Sequence, residues 1–199
     1  MTSLVNQPAC RLVTIGGGSG QSTLLRALKQ YNFDLSAIVS MVDDGGSTGQ
    51  LRSELGVLPA GDVRRCVVAL AQAKPELQAL FNYRFTKGSL TGHPVGNIIL
   101  AGLEQQTGNF QQAVTTVSEW LDAAGQVIPV TTQPVILEAV LADGTVITGE
   151  TNIDLPQHDA YQPIQTVRLQ TPAEANPAAL AALEAAHVIV LTIGDLYTS

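Results

Sequence analysis

The chain contains 199 residues, of which 45% are hydrophobic and only two are cysteine, so we expect one domain with a sizeable buried core and no disulfide framework. Its formal net charge is −7. This acidity argues against a nucleic-acid or membrane-surface binder, because both would need a basic face, although backbone N–H groups can still bind phosphate locally.

The first half of the chain alternates short apolar runs with amphipathic segments. The apolar runs 11–16 and 35–42 predict buried strands, as in parallel sheets covered by helices. Helical spacing of apolar residues predicts helices within 22–31, 58–74, 75–85, 95–106 and 109–125. Asp62 is a suitable N-cap for the second of these helices.

The second half predicts further strands and one more helix. Two alternating runs around Asp143-Gly144 indicate a β-hairpin within 135–150. Pro177 stands near the start of a helix predicted over 176–187. Other strands are predicted at 127–132, 164–171 and 188–194, the last of them buried. This alternation predicts an α/β fold with a mainly parallel sheet, helices on both faces and an added hairpin.

A glycine-rich loop connects the first strand to the first helix. Its residues and the hydroxyl groups that follow are Gly16, Gly17, Gly18, Ser19, Gly20, Ser22 and Thr23. A helix N-terminus offers unpaired N–H groups and partial positive charge, so the loop predicts binding of an anion or nucleotide. The alternative is a tight turn without a ligand. A Walker A loop is excluded because no lysine follows before Lys29, and the GxGxxG fingerprint fails at Gln21.

Two adjacent carboxylates, Asp43 and Asp44, follow the second strand, at the edge where open α/β sheets bind ligands. They are candidates for contacts to ribose hydroxyls. Carboxylate oxygens also suit Mg²⁺, for which Asp43 is the candidate ligand, and a turn before Gly45-Gly46 is the third interpretation. Because side chains alternate along an extended chain, Asp43 is favoured as the ligand contact and Asp44 as the residue that stabilises the turn.

Other polar residues lie near the starts of predicted helices. Arg64 and Arg65 are expected in the first turn of their helix, where cations oppose the helix dipole, so they are either contacts for an anion or surface arginines. His93 and Asn97 lie where a loop enters a helix and are either site residues or hydrogen-bonded surface groups. His93 has no second histidine at metal-ligand spacing, which argues against a zinc site.

Several segments together resemble one protein family. The motifs GGGSGQSTLLRALK, AIVSMVDDGGSTGQLRSELGVLPAGDVRRCVVAL, LFNYRF, LTGHPVGNIIL and LYTS occur in this order. They are similar to the gluconeogenesis-factor family, the bacterial branch of the CofD-like proteins, whose other branch contains 2-phospho-L-lactate transferase. The resemblance implies a Rossmann-like three-layer αβα fold in a single nucleotide-binding domain over 1–199, shortened at its C-terminus. The ligand-binding residues that it carries over are Gly16 to Gly20, Asp43, Asp44, Asp62, Arg64, His93 and Asn97.

The sequence departs from the family pattern at three places. Ser19 stands where threonine is usual, which keeps the hydroxyl group. Arg65 stands where asparagine is usual. The segment TIGDLYTS replaces the more usual GPGSLYTS, which alters a second glycine turn expected beside the ligand.

The resemblance implies a cytoplasmic regulatory protein that binds UDP-sugars or related nucleotides without turnover and is linked to cell shape and wall synthesis. The alternative is a magnesium-dependent transferase with a nucleotide-activated donor. An NAD-type dehydrogenase is the weakest hypothesis, because the dinucleotide fingerprint fails at Gln21. No nucleic-acid or membrane partner is expected, and a homo-oligomer is compatible with the sequence.

Overall fold

The structure is a computed structural model that describes residues 9–155 and 162–198. Its strands are β1 (Cys10–Gly16), β2 (Phe33–Val39), β3 (Gln126–Pro129), β4 (Leu137–Leu141), β5 (Val146–Thr148), β6 (Ile164–Leu169) and β7 (Val188–Leu191). Its helices are α1 (Gly18–Leu28), α2 (Gly46–Leu55), α3 (Ala60–Leu70), α4 (Pro75–Asn82), α5 (Val95–Thr107), α6 (Phe110–Trp120), α7 (Glu150–Asp154) and α8 (Pro177–Ala185). Ser199, the last residue of the LYTS motif, lies outside the described residues.

A parallel sheet with the strand order β3-β2-β1-β7 forms the middle layer. Side chains alternate along its strands, so each face supplies its own apolar layer. Leu12 and Leu35 are buried with residues of α1, α3 and α6 on one face. Val13 and Ile38 pack against Ala179 of α8 on the other face. The predicted three-layer αβα fold is therefore confirmed.

The predicted hairpin is also confirmed, and it belongs to a second sheet. Strand β4 pairs antiparallel with β5 on one side and with β6 on the other. Gly144 closes the hairpin turn with φ +87°, a conformation that glycine adopts without strain. Asp143 accepts a hydrogen bond from the Thr145 N–H at 2.9 Å, as an Asx-type turn requires.

Several predicted boundaries differ from the structure. Helix α1 begins at Gly18 instead of near Ser22, and α3 begins at Ala60 with Pro59 as its N-cap, so the prediction that Asp62 is the N-cap is wrong. Helices α2 and α7 were not predicted. Each buries few side chains, only Thr48 and Leu51 in α2, so neither has a clear apolar stripe in the sequence.

Strand β7 is an exposed edge strand, so the prediction that 188–194 is buried is wrong. Ile189 is 52% exposed and Leu191 is 78% exposed. The apolar run is typical of a central parallel strand, but sequence periodicity does not report how many neighbours a strand has. Within the described residues, no helix is long and apolar enough to cross a bilayer.

Asp44 joins the end of β2 to the second sheet. One of its carboxylate oxygens accepts a hydrogen bond from the Glu150 N–H at 2.9 Å. The other accepts from the Thr151 N–H at 2.9 Å and from the Thr151 hydroxyl at 2.7 Å. Asp44 therefore caps the N-terminus of α7 from a position more than a hundred residues earlier in the chain.

We expect Asp44→Asn to lower the free energy of unfolding by about 1–3 kcal/mol, because an amide cannot accept at both positions and leaves part-buried N–H groups unpaired. Urea unfolding measures the change. Asp34→Asn, an exposed position on β2, is the matched control and should change stability by less than about 0.5 kcal/mol. Equal stability of the two variants would contradict the capping role.

Candidate functional site

The N-termini of α1, α2 and α3 converge beyond the carboxyl ends of β1 and β2. The residues before these helices are Gly17, Gly45 and Pro59, and none of them supplies a side-chain cap to its own helix. Two adjoining cavities lie there. The first, here named the glycine-loop cavity, has a volume of about 250 Å³ and is lined by residues that include Gly17 to Gly20, Asp43, Asp62, Arg65 and Glu150.

The second, here named the arginine cavity, has a volume of about 220 Å³ and shares Asp43 and Arg65 with the first. Its other lining residues include Ser47, Arg64, Arg84 and Asn97. A larger groove of about 740 Å³ runs along α6 and β3, but it contains none of the residues that the sequence singles out. The two adjoining cavities are therefore the candidate site, in the position where α/β sheets bind ligands.

The structure gives a packing reason for three glycines of the loop. A Cβ atom on Gly16 would lie 2.0 Å from the Thr192 hydroxyl oxygen, and one on Gly20 would lie 1.8 Å from the Ile193 carbonyl oxygen. A Cβ atom on Gly18 would lie 2.1 Å from an Asp62 carboxylate oxygen. These glycines therefore let the segment after β7 and the start of α3 approach the loop, whether or not a ligand is bound.

Asp62 caps a neighbouring helix instead of its own. Its carboxylate accepts a hydrogen bond from the Gly18 N–H at the start of α1. The Arg65 guanidinium donates to the same carboxylate at 3.0 Å and to the Ser19 hydroxyl oxygen at 3.3 Å. Burial and the nearby Asp43 raise the pKa of Asp62, and Arg65 opposes that rise. The Asp62 carboxylate thus already accepts from one of the N–H groups that the sequence predicts to bind phosphate.

Asp43 lies between the two cavities. One of its oxygens accepts a hydrogen bond from the Gly45 N–H at 3.0 Å. The other lies 2.8 Å from where a Cβ atom on Gly61 would stand, so it faces the start of α3. Because Asp44 uses both of its oxygens at α7, the two adjacent carboxylates face different parts of the molecule. The prediction that Asp44 stabilises the turn at Gly45 is therefore wrong, since Asp43 makes that contact.

Glu150 brings a third carboxylate to the glycine-loop cavity. Burial, and then the charges of Asp43 and Asp44, raise the pKa of Glu150 to about 7. Sequence reasoning did not identify this residue, because α7 is short and lies far from the other motifs in the chain. Its position follows from the hydrogen bonds between Asp44 and α7.

The carboxylates fit a partial magnesium site. Within the described residues, no group of three or more histidine, cysteine or acidic side chains is arranged to hold a metal ion alone. Magnesium usually keeps several waters and takes one or two carboxylates together with substrate phosphates. Asp43, Asp62 and Glu150 line one cavity, where burial and then the charge of Asp43 raise the pKa values of Asp62 and Glu150. These residues would hold the ion against a bound phosphate.

A chain of polar contacts lies behind the arginine cavity. Arg64 Nε donates to Asn97 Oδ1 at 3.0 Å, and Asn97 Nδ2 donates to Ser47 Oγ at 3.3 Å. Ser47 Oγ also lies 2.8 Å from His93 Nδ1. His93 and Asn97 are buried, so the prediction of exposed surface groups does not apply to either. Ser47 and Arg84 were not singled out by the sequence.

Two of the predicted hydroxyl groups do not face either cavity. Ser22 and Thr23 each donate to the Ser19 carbonyl oxygen at 3.0 Å, a contact within α1. Ser19 itself lines the glycine-loop cavity together with Ile193 and Gly194. The altered segment after β7 is thus beside the loop, where the family pattern expects a second glycine turn.

Comparison with known proteins agrees with the predicted resemblance. The profile of the CofD family, described as 2-phospho-L-lactate transferase CofD, matches residues 12–199. The chain is 43% identical over 191 residues to the gluconeogenesis factor of Halalkalibacterium halodurans, covering 94% of this chain and 58% of that protein. It is 42% identical over 192 residues to the gluconeogenesis factor of Bacillus subtilis, covering 95% of this chain and 59% of that protein.

A solved structure shows the same fold. The crystal structure of a Bacillus halodurans protein superposes with a TM-score of 0.91 at 41% identity and covers 96% of this chain and 61% of that chain. The chain spans about three fifths of the length of these relatives. With the profile match over nearly all of its residues, the chain belongs to the CofD family.

Proposed function

We propose that the chain is a cytoplasmic regulatory protein that binds a nucleotide-diphosphate sugar, with UDP-sugars as the favoured class. The observation that supports this most is the juxtaposition of opposite charges in two adjoining cavities. Arg65 and the start of α1 offer donors for phosphate, while Asp43 offers an acceptor for sugar hydroxyls. Neither sign of charge alone would suit a ligand that carries both phosphates and hydroxyl groups.

The glycine-loop cavity is the proposed position of the diphosphate. Ser19 and Gly20 lie in the first turn of α1, where backbone N–H groups have no intrahelical partner. Arg65 donates to the Ser19 hydroxyl and to Asp62, so its guanidinium is held at the rim of this position. At about 250 Å³ this cavity is smaller than a typical whole-ligand pocket of roughly 300–1,000 Å³, so it would hold the diphosphate part of the ligand.

The glycine-loop cavity is lined by four carboxylates, those of Asp43, Asp62, Glu150 and Asp195. These carboxylates would repel a diphosphate unless a cation or a proton compensates. Magnesium, when bound, would screen the phosphates from Asp43, Asp62 and Glu150. The proposal therefore includes magnesium-assisted binding. In this view the regulatory role is the link between nucleotide-sugar supply and cell shape and wall synthesis that the family resemblance implies.

The second candidate is a magnesium-dependent transferase with a nucleotide-activated donor, which the family resemblance implies. The matching profile is itself described as a 2-phospho-L-lactate transferase. The observation that favours it is Glu150, whose pKa of about 7 would allow this carboxyl group to exchange a proton near neutral pH. Release of free nucleotide from a labelled donor in the presence of an acceptor would support this candidate. Binding without release would support the regulatory protein.

We expect UDP-N-acetylglucosamine to stabilise the protein more than NAD does in a thermal-shift titration with Mg²⁺. A ligand at about 100 times its dissociation constant adds roughly 2.7 kcal/mol to the free energy of unfolding. NAD serves as the control nucleotide because the dinucleotide fingerprint fails at Gln21. A shift with NAD that equals or exceeds the shift with the UDP-sugar would overturn the ranking.

We expect Asp43→Asn to weaken binding of UDP-N-acetylglucosamine by about 1–3 kcal/mol, the size of a lost charged hydrogen bond. Calorimetric titration with Mg²⁺ and then with a chelator separates metal contact from direct hydroxyl contact. Asp34→Asn is the matched control, because Asp34 is exposed on β2 and lines neither cavity, so the affinity of this variant should stay unchanged. Unchanged affinity of Asp43→Asn in both buffers would remove Asp43 from the site.

We expect the pH dependence of stability to change in Glu150→Gln. Folding raises the pKa of Glu150 from 4.5 to about 7 and so favours its protonated form. That stabilisation is complete below pH 4.5 and is lost as the pH rises through 7. The melting temperature of Glu150→Gln minus that of the wild type should therefore increase from pH 5 to pH 8.

Added Mg²⁺ should narrow this difference at pH 8, because it stabilises the ionised carboxyl group of the wild type only. The exposed Glu184 provides the control variant Glu184→Gln, for which the difference should not depend on pH. A Glu150→Gln difference that is equal at pH 5 and pH 8 would show that the carboxyl group is not perturbed.

A further inference from the structure

Arg64 is a buried cation whose described partners are neutral. Its residue is 5% exposed, and its Nε and Nη1 atoms donate to the side-chain carbonyl oxygens of Asn97 and Asn82. Within the described residues, no carboxylate forms an ion pair with it. Burial and the neighbouring Arg65 and Arg84 lower the pKa of Arg64 to about 10. A buried charge without a counter-ion is costly, so a site with this arrangement favours an anion.

The guanidinium is held rigidly. Its partner Asn97 contacts Ser47, and Ser47 contacts His93, so the polar chain ties α3 to α5 and to the start of α2. A Cβ atom on Gly96 would lie 2.7 Å from Arg64 Cδ, so the glycine lets α5 pack closely against the aliphatic part of the Arg64 side chain. A donor that is fixed before binding loses little conformational entropy when a ligand arrives.

The charge of the arginine cavity favours an anion. Arg64, Arg65 and Arg84 all line this cavity. Arg65 forms an ion pair with Asp62 at 3.0 Å, so its charge is largely offset. Arg84 donates to the Gly92 carbonyl oxygen, a neutral acceptor. Arg64 and Arg84 thus contribute two positive charges against the single negative charge of Asp43, which also lines the cavity. The remaining net positive charge favours an anion, and a phosphate monoester carries about −1.5 to −2 at neutral pH.

Backbone groups reinforce the same preference. Helix α2 begins at Gly46 and has no side-chain cap of its own, and Gly46, Ser47 and Thr48 line the arginine cavity. The first N–H groups of a helix lack intrahelical acceptors, and the helix dipole adds positive potential there. Asp43 accepts a hydrogen bond from the Gly45 N–H and lines both cavities. It therefore lies between the arginine cavity and the glycine-loop cavity.

We propose that the arginine cavity binds the phosphate monoester of a second, phosphorylated small molecule, beside the nucleotide position in the glycine-loop cavity. The paired arrangement rests on the proposed function, whereas phosphate binding by Arg64 and Arg84 does not. The site then holds two anionic groups on either side of Asp43. The protein would then respond to a nucleotide sugar and to a phosphorylated metabolite together.

Calorimetric titration of the full chain with inorganic phosphate, at constant ionic strength in chloride, tests the inference. Wild type should bind phosphate, and Arg84→Gln should bind it about tenfold more weakly or worse, the size of a lost charged hydrogen bond. Arg84 is exposed at the rim, so the variant should fold, which circular dichroism checks. Arg26→Gln, an exposed arginine on α1, is the matched control and should bind as wild type does.

Arg64→Lys provides a second variant that keeps the charge but loses the planar fork, and it should also weaken phosphate binding. The affinity of Arg84→Gln for UDP-N-acetylglucosamine should stay within about threefold of wild type, a difference below 1 kcal/mol. Glycerol 3-phosphate distinguishes an ester from the free ion. Tighter binding of the ester supports a phosphorylated metabolite, and binding of inorganic phosphate alone shows that the ester assignment is wrong.

Three results would overturn the inference. The first is that phosphate does not bind more than chloride does, and the second is that Arg84→Gln binds phosphate as wild type does. The third is that phosphate and UDP-N-acetylglucosamine compete for binding and that Arg84→Gln loses affinity for both to the same extent. That result would assign the arginines to the diphosphate of the nucleotide itself. If the UDP-sugar fails to bind while phosphate binding requires Arg84, the proposed function fails and the phosphate site stands.

Discussion

The need to satisfy unpaired N–H groups at helix N-termini is the constraint on which this site depends. Helices α1, α2 and α7 have no side-chain cap from their own preceding residue. Carboxylates from other parts of the chain serve α1 and α7, whereas before α2 Asp43 accepts only from the N–H of the adjacent turn residue Gly45. Asp62 accepts from Gly18, Asp43 accepts from Gly45, and Asp44 accepts at the start of α7. Three acidic residues are therefore brought to the ends of the central strands by backbone hydrogen bonding.

This arrangement creates a site with two electrostatic halves. Asp43, Asp62 and Glu150 line the glycine-loop cavity, where burial and then the charges of neighbouring carboxylates raise the pKa values of Asp62 and Glu150. The arginines lie on the other side of Asp43, where Arg64 is buried among neutral amides. Such a separation of the two signs of charge is suited to the ligand that we propose, which carries both phosphate groups and hydroxyl groups.

Much of the fold could be predicted from the sequence because its signals are local. Apolar periodicity indicated the central helices and strands, and Asp143-Gly144 indicated the hairpin turn. The strand β7 was placed correctly but its burial was wrong, since an apolar run does not show whether a strand lies at an edge. Helix α2 was not predicted because its start is rich in glycine and only two of its side chains are buried.

The sequence by itself determined that a glycine loop and paired aspartates follow the first two strands, and alternation predicted that Asp43 and Asp44 point in different directions. The turn contact predicted for Asp44 is made by Asp43 instead. Only the tertiary structure decided what each of them contacts. Asp44 meets Thr151, which is 107 residues later, and Asp62 meets Gly18, which is 44 residues earlier. Such contacts depend on how strands and helices pack, whereas propensity and periodicity report only on near neighbours in the chain, so Glu150 and Arg84 had no signal in the sequence.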